Sequence, residues 1–263
     1  MRRLPRLGVL LALCACAGNK PDYSTKTDAE ILELGMANVG KKDYIGAVES
    51  LSQLEYNHPY SRLTGNSWIL IGYAQYRDRK YADAIESFER LIKYQPGNPQ
   101  VPYATYMVAM SYYDQMSPIT RDQRMTELAL SSMERLAKAF PDSEYAADVK
   151  PKMQIARNHL AAKEMYIAKN LVARQNIIAA LNRYQTIIAK YDTTPFIEEA
   201  LFRTVEIYLM MDEAEAAGNM ARILEANYPD SRWLAMAKDI IGEYEKSGER
   251  PESDVDLRAA QAA

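Results

Sequence analysis

Four times along this chain an alanine is followed by an apolar residue four places on, another at seven and a proline at twelve. The copies read Ala47-Leu51-Leu54-Pro59, Ala84-Phe88-Leu91-Pro96, Ala129-Met133-Leu136-Pro141 and Ala217-Ala221-Leu224-Pro229. A fifth, Ala180-Tyr184-Ile187, has Asp192 where the proline would stand. Steps of four and seven put these residues on one face of a helix, and proline marks its end. Two residues past each mark stands Ser61, Asn98, Ser143, Thr194 or Ser231. Such side chains accept hydrogen bonds from the free N–H groups of a new helix, so each mark is expected to close one helix and open the next. Pro99 and Pro195 directly follow two of these caps and are expected at the first helical position, where a missing N–H costs nothing.

The helices that open there carry a small residue twelve places before the alanine: Gly35, Gly72 and Ala168, with Val205 in the last copy. A small residue there lets two helices of a hairpin approach closely. Around Gly72 the text "WILIGYAQY", followed by Ala84, Phe88 and Pro96, resembles the tetratricopeptide (TPR) signature W-x2-L-G-x2-Y…A-x3-F…P. The pattern predicts an all-α fold, a right-handed superhelix of five TPR-like hairpins over roughly 28–246. Two irregularities are expected. In the third copy Ala109 and Ala129 are 20 apart, which puts a polar loop within "DQMSPITRDQRM". Between Pro141 and Ala168 lie 27 positions rather than 13, which predicts one long helix through "VKPKMQIARNHLAAKEMYIAKNLVAR".

The N-terminus sets the compartment. Arg2, Arg3 and Arg6 precede an apolar run from Leu7 to Ala15, too short to span a bilayer and suited to a signal peptide over 1–15. The chain's two cysteines stand here, Cys14 inside the segment and Cys16 directly after it. A Cys14–Cys16 disulfide would strain its geometry, and two sulfurs are half a zinc site. Leu13-Cys14-Ala15-Cys16 instead fits a lipoprotein signal, with leucine at −3, alanine at −1 and Cys16 the acylated (palmitate-bearing) residue; an ordinary signal peptide is the alternative. Ala17 and Gly18, rather than Asp, follow the anchor, which points to the periplasmic face of the outer membrane. Residues 16–27 read as a lipidated flexible tether, and 247–263 as a disordered polar tail. Removing three arginines takes the formal charge from −3 to −6, a balance that disfavours nucleic acid.

No G-x-S-x-G, P-loop, H-E-x-x-H or G-x-G-x-x-G occurs, and the chain is not expected to be an enzyme or to hold a metal or cofactor. His58 is expected to face solvent in its turn, and His159 to lie in the long helix. Binding surface is what remains. Nineteen tyrosines against four phenylalanines suit a surface part apolar and part wet. In TPR proteins ligand contacts come largely from the first helix of each hairpin. The matching places are Tyr73, Tyr76 and Arg77 in the second copy, and Tyr103, Tyr106, Met110 and Tyr113 in the third. The second set forms a stripe along one helical face. It is expected to be a groove for an extended peptide with aromatic side chains; packing between adjacent hairpins is the alternative.

The lipoprotein cysteine, the tether and five hairpins together resemble the BamD family of outer-membrane assembly lipoproteins. The most specific stretch is 162–211, with Ala180-Leu181-Asn182-Arg183 matching A-x-N-R and Glu198–Leu201 the EEAL helix start. "SPITRDQRMTELALSSMERLAKAFPDSEYA" is similar to the family's third repeat, while Asp192 and Val205 depart from its pattern. The resemblance implies a scaffold of the β-barrel assembly machinery, attached to the membrane through its lipid only. Repeats 1–3 (28–146) would recognise the C-terminal signal of unfolded barrel clients. Repeats 4 and 5 (147–246) would dock on the POTRA domains of BamA, with Asn182 and Arg183 at that interface. Other BAM lipoproteins are implied partners. A different TPR lipoprotein, such as a secretin pilotin or envelope scaffold, is the alternative.

Overall fold

The computed structural model describes residues 22–248, and among them every regular element is an α-helix. Five hairpins follow one another: α1 (Asp28–Gly40) with α2 (Tyr44–Asn57), α3 (Thr64–Arg77) with α4 (Tyr81–Tyr94), α5 (Val101–Tyr113) with α6 (Arg124–Ala139), α7 (Glu144–Val172) with α8 (Ile177–Lys190), and α9 (Ile197–Met210) with α10 (Ala214–Asn227). A last helix, α11 (Arg232–Ser247), packs on α9 and α10. Each helix packs on the next in sequence, and first helices also touch down the line, α1 with α3, α3 with α5 and α5 with α7. The signal peptide, Cys14, Cys16 and the tail beyond Gly248 lie outside the described residues.

The repeated pattern is the core. Ala47, Ala84, Ala129, Ala180 and Ala217 are fully buried, as are Leu51, Leu54, Phe88, Leu91, Met133, Leu136, Ile187 and Leu224. Burying one such large side chain contributes about 1.5–3 kcal/mol. The small residue on each first helix meets the residue four past the alanine. A Cβ on Gly35 would stand 2.3 Å from the Leu51 side chain, and one on Gly72 2.8 Å from the Phe88 ring. In later hairpins the two places trade volume: Ala109 shares a core with Met133, Ala168 with Tyr184, and Val205 with Ala221. Where the first helix gains bulk at Val205, its partner loses it.

The turns inside hairpins 1, 2, 4 and 5 share one design. The chain leaves the first helix through a left-handed residue, respectively Lys42, Arg79, Gln175 and Asp212, with φ of 60–62°. The next N–H then reaches back five residues, as Lys80 N does to Gln75 O at 2.9 Å. This is a Schellman closure built on side-chain-bearing residues instead of glycine. Hairpin 3 has the expected loop, 114–123. Gln123 organises it, donating to Pro118 O at 3.0 Å and Arg121 O at 3.1 Å. His159 holds it against α7 through Nε2 and Ser117 O, 2.7 Å apart.

Between hairpins the structure corrects part of the capping pattern. Ser143 and Ser231 are N-caps, their hydroxyls accepting from Ala146 N at 3.2 Å and Trp233 N at 3.1 Å. Ser61, Asn98 and Thr194 are not. A turn closed by Thr64 N, Val101 N and Ile197 N to their respective carbonyls intervenes, and α3, α5 and α9 start three residues later. Pro99 and Pro195 therefore sit second in that turn, where their fixed φ is equally suitable. The long helix is α7, 29 residues and roughly 43 Å. It absorbs Pro151 because the carbonyl left without a donor, on Ala147, belongs to an exposed residue. His58 also departs from expectation: its Nε2 lies 2.8 Å from Lys26 O, and Ser61 Oγ donates to Asp28 Oδ2 at 2.6 Å. Residues 22–27 are thereby held against the first inter-hairpin turn.

Candidate functional site

The first helices bring the tyrosines together. Tyr73 and Tyr76 stand on α3, Tyr103, Tyr106 and Tyr113 on α5, and Tyr145 at the start of α7. The Tyr145 ring lies 5.8 Å from Tyr103 and 5.1 Å from Tyr106, and Tyr103 meets the Phe88 ring edge-on at 6.2 Å. All six tyrosines are half-buried, so each presents part of its ring to solvent.

The hydroxyls couple successive hairpins. Tyr76 donates to Asp114 Oδ2 at 2.6 Å, joining α3 to the end of α5. Tyr106 bonds Asp148 on α7, whose carboxyl is held below its ordinary range first by Lys152 and then by that tyrosine. Burial, then the bonded carboxylate, pushes the Tyr76 and Tyr106 phenols well up, and burial pushes Tyr103 to about 12. Near neutral pH the Tyr76, Tyr103 and Tyr106 phenols keep their protons. The strip offers rings for stacking and hydroxyls for hydrogen bonding.

Arg77 sits at one end. Its Nη1 donates to Tyr73 Oη at 2.7 Å, and its guanidinium lies 5.6 Å from the Tyr73 ring centre and 5.7 Å from that of Tyr44. Met110 does not join the strip. It is 5% exposed and packs with Ala109, Ala129 and Met133, because its position seven past Tyr103 lies on the edge of the stripe that faces α6. Tyr44, Tyr145 and Asp148 belong to the site, and the sequence pattern does not single them out. Each comes from a neighbouring hairpin, and only the repeat-to-repeat register could have pointed to them.

Asn182 and Arg183 lie together on α8, both exposed. Arg183 pairs with Glu164 on α7, Nη1 to Oε2 at 3.1 Å; Glu198 and Glu199 of the family-like stretch belong to α9. Those two are engaged elsewhere: Glu198 accepts from Ser231, and Glu199 pairs with Lys169 at 2.7 Å. Arg183 remains 46% exposed despite its partner.

Hairpin stacking with a strip along the first helices defines a TPR-like repeat protein. A family model described as outer membrane lipoprotein matches residues 24–223. The chain is 33% identical over 247 residues to the outer membrane protein assembly factor BamD of Caulobacter vibrioides, covering 92% of this chain and 80% of the relative. It is 31% identical over 239 residues to BamD of Rickettsia prowazekii, covering 91% and 95%. The chain belongs to this family, the BamD outer membrane lipoproteins. Among solved structures the TPR domain of P58(IPK) aligns with a TM-score of 0.42 and 12% identity, over 85% of this chain and 67% of that one.

Proposed function

We propose that this protein is a lipid-anchored scaffold for assembling β-barrel proteins at the outer membrane. Cys16 carries the lipid, on the periplasmic face. The tyrosine strip of hairpins 2–4 takes unfolded clients, and Asn182 and Arg183 contact a POTRA domain of BamA, with other BAM lipoproteins as further partners. The observation that carries the client reading is the continuity of half-exposed tyrosines from α3 through α5 to α7. Packing and binding are compatible here, because Tyr76 and Tyr106 tie hairpins through their hydroxyls while every tyrosine of the strip stays partly exposed. For docking, a guanidinium has five N–H donors, and its bond to Glu164 leaves others for a partner carboxylate.

The test separates the two roles of the tyrosines. Tyr73 and Tyr113 make no hydroxyl bond to another hairpin among the described residues, so alanine there should keep far-UV helicity. Binding of a β-barrel C-terminal peptide should weaken by about 2 kcal/mol or more if these are hot spots. Unchanged binding in both variants sinks the groove. For docking, Arg183→Ala should weaken the BamA complex by roughly 1–3 kcal/mol. Its own melting should barely move, since an exposed pair contributes about 0–1 kcal/mol.

A further inference from the structure

Where α2 ends and α3 begins is a cleft of about 610 Å³, lined also from α4, that the proposed function does not use. Tyr60 and Tyr94 form its rim, 99% and 62% exposed. Its floor is Trp68, whose ring lies 6.2 Å from Tyr94. A pair of opposite charges stands beside these rings. Arg90 Nη2 donates to both oxygens of Glu55, at 2.7 and 2.9 Å, and its guanidinium lies 4.9 Å above the Trp68 ring. Trp68 Nε1 donates to the same carboxylate at 3.2 Å, and Glu86 adds a second acid to the lining. A fully exposed tyrosine gains nothing from its own fold and is suited to an environment apolar at the ring and wet at the hydroxyl.

The position of the cleft says which environment. Ser61, next to Tyr60, is bonded to Asp28, the first residue of α1, and His58 holds Lys26 O. The described chain begins at Asp22, six residues after Cys16, a span of at most about 20 Å when extended. If Cys16 carries the lipid, this short span keeps the rim within reach of the membrane surface.

We propose that this cleft is a contact for the headgroup layer of a zwitterionic phospholipid bilayer, a second attachment beside the acyl anchor. The proposal rests on lipidation at Cys16 for its geometry. The chemistry is complementary: headgroup ammonium to Glu55, Glu86 and the aromatic faces, phosphate to Arg90, and the Tyr60 and Tyr94 rings at the level of the glycerol. Two acids in the lining disfavour an anionic surface. Acyl chains hold more firmly when a second signal accompanies them.

The soluble chain from residue 17 retains every described residue and has no acyl group, so it isolates the cleft from the anchor. It should float with unilamellar vesicles of phosphatidylethanolamine and phosphatidylcholine. Partitioning should fall about fivefold for Tyr60→Ala, and further for Tyr60→Ala combined with Tyr94→Ala. Tyr60→Trp should raise it, and Ile178→Ala, an exposed residue on α8, should leave it unchanged. Melting temperature should not shift in Tyr60→Ala, because a 99% exposed ring packs on nothing. No vesicle binding, or equal binding of wild type and double variant, overturns the proposal. So does self-association in sedimentation that disappears in the same variants, since the occupant is then a second copy. Absence of acyl label at Cys16 in cells would defeat the anchor alone, and leaves the vesicle result to stand separately.

Discussion

Gly72 and Phe88 show how closely single positions are specified. A methyl group at Gly72 would meet the Phe88 ring at 2.8 Å, and Phe88 is fully buried between helices with no slack. Gly72→Ala should therefore cost about 1–3 kcal/mol as overpacking, outweighing the helix propensity gained. Gly218 on α10 is the contrast, since a methyl group there would meet nothing within 4 Å, and Gly218→Ala should stabilise by roughly 0.5–1 kcal/mol. Denaturant midpoints of the two variants should move in opposite directions; a shift of the same sign would remove the close approach as the reason for Gly72. Positions of this kind are legible in a sequence because the twelve-residue offset between glycine and alanine is local. The site residues Tyr44 and Tyr145 were not, because their neighbours stand in other hairpins: Tyr145 meets Tyr103 across 42 positions. Met110 shows the limit of spacing alone. Periodicity says which residues share a face, but the open part of that face is narrower than the face itself.

Helices and their ends were legible unequally. The alanine pattern located the second helix of every hairpin, since proline or its substitute closes each. First-helix starts were displaced by two residues, to Thr64, Val101 and Ile197, because serine, asparagine and threonine serve turns as readily as caps. The tight turns of hairpins 1, 2, 4 and 5 lack the glycine signal, since their left-handed positions hold Lys42, Arg79, Gln175 and Asp212. Stacking fixes that geometry against the preference of the residue. Arg79 is exposed, and its turn is closed by Lys80 N to Gln75 O at 2.9 Å, a bond that needs no side chain. Arg79→Gly should accordingly raise stability by about 0.5–1 kcal/mol, and Arg79→Val, branched at Cβ, should lower it. Thermal melts of both check this, and loss of stability in the glycine variant would mean that Arg79 contributes through its side chain.

Across the whole molecule each helix packs on its neighbours in the array, and no substantial packing joins the first three hairpins to α9, α10 or α11. Stability in such an array is a sum of local and nearest-neighbour contributions rather than the property of one core. The long helix α7 is the one element common to both halves: it packs on α5 and α6 in front and on α8 behind. A lesion in hairpin 3 should then spread through α7 and fade. Leu136 is fully buried in the core shared by α5, α6 and α7, and Leu136→Ala should cost about 2–5 kcal/mol there. In native-state hydrogen exchange, protection should drop in α5, α6 and the first half of α7 and hold in α9, α10 and α11, because opening free energies differ between units that unfold separately. Equal loss of protection in α11 would show that the hairpins melt together. A gradient ending in α7 would mean that the proposed client strip can loosen while Arg183 stays in place on α8.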